Sequence, residues 1–273
     1  MLTSALIFAA PPPPIGGVSS LVLMLLQSME RISSVKFVFP MAKKRGLLGV
    51  FRPLINIWFL VRGALGLKHG ERVLFFSSAG SLFYEKLVWL MVLRFMKRHA
   101  VMVMVDGNFL SFWESMPSLA RRFSQSLIGI SHVTVGAQSE QWRQYYERIF
   151  PGCDCLSIGA TVRREFREAG YPIYSPKSFT IIYVGWMLPE KGVLDLLDAF
   201  EQIHQRIPEA NLRMIGPLFS GIDYWQMQSR QRAIESKVVF TGSIHDPQKL
   251  IDEFRSAAVF VLPSHFEGLP VAM

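Results

Sequence analysis

Cysteine is nearly absent: the 273 residues include two, Cys153 and Cys155, separated by a single position. Two thiols support neither a disulfide framework nor a zinc site, and a reducing cytoplasm is the expected setting. Acidic residues are also scarce, 21 against 29 lysines and arginines, which leaves a net charge of +8. That excess points to an acidic partner, whether nucleic acid, an anionic membrane surface or a phosphorylated substrate, and charge alone does not choose among them. No segment reads as a membrane span or a leader. Leu2 to Ala10 has no basic start and runs into Pro11 to Pro14, so it reads as a buried strand, and Leu47 to Val61 is interrupted by Arg52 and Pro53. There is no Asp-x-Asp pair and no set of His or carboxylate ligands for a metal. No Gly-x-Gly-x-x-Gly follows the first strand, which argues against a nicotinamide oxidoreductase.

Half of the residues are hydrophobic, and the length suffices for two α/β domains with cores of their own. Apolar runs of strand length alternate with helical patterns. Strands are expected at Thr3 to Phe8, Val35 to Phe39, Arg72 to Phe76, Val101 to Val105, Ser131 to Val135 and Leu156 to Ala160. Between them fall a glycine turn at Ile15 to Ser19 opening a helix to about Met29, and helices over about Leu47 to Leu67, Ser81 to Lys97 and Gln138 to Phe150. Such alternation implies a parallel, doubly wound sheet. The charged, proline-containing stretch Arg163 to Lys177 reads as a linker between domains 1–162 and 178–273. The second half repeats the pattern, with strands at Asn211 to Ile215, Val238 to Phe240 and Ala258 to Leu262, and helices at Tyr224 to Glu235 and Pro247 to Arg255.

The second domain is organised around Phe179 to Phe200. A hydrophobic strand to Val184 is followed by a tight turn and a helix with apolar repeats at Val193, Leu196, Leu197 and Phe200. Pro189 fits the first helical turn, whose free N–H groups then form an anion site at the carboxyl end of the strand. Lys191 adds a full positive charge in that turn.

The segment Val184-Gly-Trp-Met-Leu-Pro-Glu-Lys-Gly192 resembles the VGR-L-x-x-EKG turn of the family 4 glycosyltransferases. Downstream, Val239-Phe-Thr-Gly-Ser243 and Val259-Phe-Val-Leu-Pro-Ser-His-Phe-Glu-Gly-Leu-Pro270 are similar to that family's F-x-G and PS-x-x-EG-x-P segments. The resemblance implies a GT-B fold: two Rossmann-like doubly wound domains facing a cleft. It also implies sugar transfer from a nucleotide-sugar donor to a glycan or lipid-linked acceptor, retaining and without a metal, in cell-surface polysaccharide synthesis at the inner face of the cytoplasmic membrane. Nucleic acid is not an expected partner.

By the same resemblance Lys191 neutralises the donor diphosphate and Glu267 contacts the donor sugar, with the Gly268 and Leu269 amides turned to the phosphates. The alternative for Glu267 is a carboxylate that caps a following helix. Gly185, Gly216, Gly242 and Ser243 line the nucleotide side by position. Gly16 and Gly17 either approach the donor or serve as a tight connection. Asp106 stands where relatives carry a histidine, and either accepts from a sugar hydroxyl or caps its turn. Phe112 and Trp113 offer an acceptor platform or belong to the core. The basic start at Lys43 to Arg45 and the helix after it fit either an anionic membrane surface or an ordinary core helix. Trp186 replaces the family's arginine, and the second glutamate of the paired motif falls past Met273, so a partial second domain, or a non-catalytic binding relative, is the alternative expectation.

Overall fold

The computed structural model describes residues 5–8, 35–38, 47–68, 70–159, 164–170, 179–265 and 267. Its contacts divide into two compact units, one of residues 1–161 with 267–271 and the other of residues 162–266 with 272–273, so Glu267, expected in the second domain, groups with the first. The first unit holds β1 (Ala5–Phe8), β2 (Val35–Val38), β3 (Arg72–Ser77), β4 (His99–Met104), β5 (Val133–Ala137) and β6 (Asp154–Ser157). They form one sheet in the order β2-β1-β3-β4-β5-β6, parallel at every pair. Helices α1 (Leu47–Leu65), α2 (Ser81–Phe95), α3 (Phe109–Ser115), α4 (Ser118–Ile130) and α5 (Glu140–Ile149) supply the crossovers. The second unit holds α6 (Arg164–Ala169), β7 (Thr180–Val184), α7 (Val193–Arg206), β8 (Asn211–Ile215), α8 (Ile222–Gln231), β9 (Val238–Gly242), α9 (Pro247–Ser256) and β10 (Val259–Phe260). Its sheet runs β10-β7-β8-β9, again parallel.

The alternation read from the sequence is therefore the architecture, with three differences. Strands β4 to β6 sit about two residues earlier or later than their apolar runs suggest, because pairing sets their limits: His99 lies opposite Arg72 in the ladder despite its polarity. The segment from Phe109 to Ile130, where no helix was expected, is two helices, broken at Met116 and Pro117, whose extended backbone fits a proline and the residue before it. The stretch expected as pure linker contains the short helix α6.

Each sheet packs on its own core. In the first, Phe83, Phe109, Trp113, Tyr146 and Phe150 form a buried edge-to-face and stacked cluster, so Trp113 belongs to the core and is not an open platform. In the second, Tyr183, Leu197, Phe200, Met214 and Trp225 fill the space between sheet and helices. The apolar positions expected on α7, namely Val193, Leu196, Leu197 and Phe200, are its buried face.

Between α1 and α2 lies a polar cluster. Arg52 Nη2 donates to Glu85 Oε2 at 2.6 Å, and Lys86 Nζ is 3.4 Å from Glu85 Oε1 and 3.3 Å from the Trp89 ring centre. Burial pushes the Lys86 ammonium down to about 8, with Glu85 acting in the opposite direction. The unfolded chain keeps this proton up to the ordinary lysine range, so unfolding takes up a proton between about pH 8 and 10.5, and stability rises with pH across that window. Chemical denaturation as a function of pH is expected to show this rise, and Lys86→Met is expected to flatten it and to be at least as stable as the parent at pH 7.

Candidate functional site

The second sheet reverses direction beside β7: β8 and β9 lie on one side of it and β10 on the other. In an open parallel sheet, the crevice at the carboxyl ends of the strands flanking such a reversal is where ligands bind. Here the strands are β7 and β10, and the turns leaving them are Gly185 to Gly192 and Val261 to His265. Both belong to stretches that carried the resemblance, so the topology brings together segments far apart in sequence.

The contact between them is tight. Gly192 has φ of 66° and ψ of 22°, and a Cβ there would lie 2.1 Å from the Pro263 carbonyl oxygen. Glycine is therefore required twice over, by the left-handed backbone and by the lack of space. The His265 amide donates to the Glu190 carbonyl at 3.3 Å, and His265 Nε2 is 2.7 Å from Asp195 Oδ2 in the first turn of α7. Nothing in the sequence reading singled out His265 or Asp195. The spacing that pairs them, 70 positions, becomes visible once the two turns meet.

The next turns are tied in the same way. Gly185 N donates to Ile215 O at 2.9 Å, Met187 N to Pro217 O at 3.1 Å, and Gly216 N to Gly242 O at 2.9 Å. A Cβ on Gly216, whose φ is 146°, would lie 1.8 Å from the Gly185 carbonyl oxygen. A shift in the pairing of β8 with β9 between Met214 and Ile215 brings Gly242 opposite Ile215. Gly185, Gly192, Gly216 and Gly242 thus mark one row of turns along the carboxyl edge of the sheet, with Ser243 just beyond.

Pro189 does not open the long helix. Pro189–Lys191 is a separate 3-10 turn, and α7 starts after the left-handed Gly192. The amides of Lys191 and Gly192 donate to Leu188 O and Pro189 O, so two N–H groups expected to face an anion close the turn. The first turn of α7 itself, beginning at Val193, supplies the orphan N–H groups and the positive end of the dipole. Lys191, half-buried, is in the turn immediately before it.

Trp186, in the place of the family's arginine, is held by its backbone, since Tyr183 Oη donates to the Trp186 carbonyl at 2.8 Å. Its ring meets Phe219 at 5.0 Å between centroids, and both rings are exposed. Ser264 Oγ is enclosed without a hydrogen-bond partner among the described residues. Glu267 is half-buried. In the first unit Asp106 follows β4, and both its oxygens accept backbone amides, Oδ2 from Ala79 at 2.8 Å and Oδ1 from Asn108 at 2.9 Å. This is the turn-capping arrangement, and it fixes the loop after β3 to the loop after β4. Gly16, Gly17, Gly268 and Leu269 lie outside the described residues, as do the basic residues Lys43 to Arg45.

The close approach at Gly216 makes Gly216→Ala a stringent change. It is expected to destabilise the second unit by about 1–3 kcal/mol or more in chemical denaturation. Gly66→Ala, where a Cβ would meet its nearest neighbour at 3.5 Å, is expected to be nearly neutral.

Comparison with known proteins bears on the fold and on residues 178–273. The model of the family "Glycosyl transferases group 1" matches residues 178–273. A D-inositol 3-phosphate glycosyltransferase of Corynebacterium glutamicum is 26% identical over 160 residues, covering 57% of this chain and 34% of its own length. The chain thus spans about a third of that curated relative. Among solved structures, WaaG, a glycosyltransferase involved in lipopolysaccharide biosynthesis, aligns with a TM-score of 0.65 at 11% identity, over 96% of this chain and 75% of its own. A point mutant of S. aureus TarM, in complex with Fondaparinux, alpha-GlcNAc-glycerol and UDP, aligns with a TM-score of 0.60 at 12% identity, over 81% and 42%. Likeness at this level of identity shows the shared α/β architecture, and WaaG shares it across nearly the whole chain. Residues 178–273 match the group 1 glycosyl transferase model, on a chain that shares the GT-B type of fold with its structural neighbours.

Proposed function

We propose that this chain transfers a sugar from a nucleotide-sugar donor to a glycan or lipid-linked acceptor, in polysaccharide or glycolipid synthesis at the cytoplasmic face of an anionic membrane. The observation that carries the proposal is the junction of the Glu190-Lys191-Gly192 turn with Pro263 to His265, which sets a lysine and a helix N-terminus at the switch point of a parallel sheet. Breaking the bond between an anomeric carbon and a diphosphate builds negative charge on the leaving group while the sugar becomes oxocarbenium-like. Fixed positive charge at the diphosphate is then the main catalytic contribution. Lys191 and the first-turn amides of α7 supply it here in place of a divalent metal. Glu267 holds the donor sugar, and the enclosed Ser264 hydroxyl is a further group for it to meet. Gly216 and Gly242 with Ser243 take the nucleoside side. Retention of anomeric configuration is part of the same proposal and rests on the family alone.

A second reading has its own observations. Trp186 meets the Phe219 ring at a tilt of 49° and cannot neutralise phosphate as an arginine would. Asp106 has one oxygen on its own turn, at Asn108 N, and the other on the Ala79 amide of the loop after β3. Together they favour a relative that binds a nucleotide without transferring sugar.

Assayed over a panel of nucleotide sugars, Lys191→Ala is expected to lower transfer or donor hydrolysis by about two orders of magnitude with the circular dichroism and melting curve unchanged. An unaltered rate would remove Lys191 from the mechanism. Trp186→Arg separates the two readings: a rise in turnover identifies a weakened transferase, and unchanged nucleotide binding with no turnover identifies a binding protein.

A further inference from the structure

The two cysteines take no part in the sugar chemistry, and both are free thiols. Cys153 stands at the end of the turn that leads from α5 into β6, and Cys155 is the second residue of that strand. Side chains two apart along an extended chain share a face. Here the two thiols are hydrogen-bonded to each other. The Cys153 thiol also donates to Val133 O at 3.4 Å and to Asp154 O at 3.6 Å, and the Cys155 thiol to Cys153 O at 3.8 Å. Among the described residues β6 is the outer strand of its sheet, so the pair lies at an edge.

Exposure divides the roles. Cys155 belongs to the core at 8% exposed, whereas Cys153 is half-buried and keeps part of its surface in water. A buried thiol holds its proton, because an apolar setting penalises the thiolate. The Cys155 thiol is pushed up, by its bond to Cys153 first and by burial second. The bond from Cys155, helped by the Val135 amide, holds the Cys153 thiol below its usual range, against burial and the Asp154 charge. Arg143 and Glu147 of α5 also act on Cys155, and they are paired with each other. The contrast between the thiols therefore comes from hydrogen bonds and burial. An accessible, readily ionised thiol poised beside a resolving thiol is the arrangement that peroxide oxidises site-selectively.

We propose that Cys153 and Cys155 form one oxidation site, at which a hydroperoxide oxidises Cys153 and Cys155 closes a disulfide to it. The Cys153 thiolate attacks the peroxide and takes one oxygen, giving a sulfenic acid and releasing an alcohol, or water from hydrogen peroxide. The Cys155 thiol then forms the S–S bond and the sulfenic oxygen leaves as water. The two thiols together give up two hydrogens and two electrons, and the peroxide is reduced. Two steps along an extended strand span about 6.6 Å between Cα atoms, near the upper limit for a bridge. Cys153 lies outside the strand, directly after Gly152 with its φ of 80°, and the β6 ladder starts only at Asp154, so closure does not require the ladder to break. A bridge near that limit is readily reduced by a cellular dithiol, which makes the modification reversible. Both thiols are in the first unit, and the site is independent of sugar transfer.

The test treats the whole chain with hydrogen peroxide and reads its peptides by mass without reductant. The parent is expected to yield the peptide holding both cysteines short of two hydrogens, restored by dithiothreitol. Cys155→Ser is expected to stop at the sulfenic acid, captured by dimedone at about ten times the parent's level or more, since nothing resolves it. Cys153→Ser is expected to react with peroxide about tenfold more slowly or worse, because the buried thiol stays protonated. If Cys155→Ser melts early, Cys155→Ala carries the same expectation, and the parent's own product requires no variant. Failure of the folded parent to react, sulfinic acid without a bridge, a bridge between two chains, or undiminished reaction in Cys153→Ser overturns the proposal.

Discussion

The van der Waals contact of Gly192 with the Pro263 carbonyl is the constraint on which the rest of the second unit depends. It is possible because β7 and β10 are neighbours on either side of the reversal in strand order, and because residue 192 has no side chain in a left-handed conformation. The amide of His265 on Glu190 and the imidazole against Asp195 then hold the two turns in register. Chemistry placed on one turn, such as Lys191, is thereby given a fixed relation to the turn from Val261 to His265. A similar contact of Gly216 on Gly185 carries the order one strand further. Backbone packing, not side-chain charge, is what makes this edge of the sheet a site.

Charge is divided unevenly along the chain. Residues 162–266 carry as many acids as bases, so the positive charge at the strand ends of the second sheet is local, Lys191 and one helix start. The excess of basic residues lies in residues 1–161, where Arg62, Arg94, Arg121 and Arg122 stand on helices whose one carboxylate, Glu85, is bonded to Arg52. Composition could therefore name an acidic partner without choosing one.

Much of this was legible in the sequence where local pattern and tertiary role coincide. β7, the buried face of α7, and the helix α9 with its Pro247 start follow from apolar spacing and capping chemistry, and Asp246 does accept from Gln248 N. The 3-10 turn at Pro189 was not legible, because a proline preceding a helical pattern looks the same whether the helix starts at once or after a left-handed glycine. Phe112 and Trp113 left core and platform open, and packing of Trp113 on Phe109 and Phe150 decides for the core. The inward setting of Glu85 and Lys86 on α2 was hidden for a different reason. Its sequence is apolar on nearly all sides, so only contact with Arg52 reveals which way Glu85 faces.

The most direct test of the central claim is an amide-resolved NMR titration of the chain with a nucleoside diphosphate. The account predicts that Gly185, Lys191, Val193, Gly216 and Gly242 shift together and saturably, because they lie along one edge of one sheet. Absence of any shift at millimolar nucleotide, or shifts confined to residues elsewhere in the chain, would contradict it.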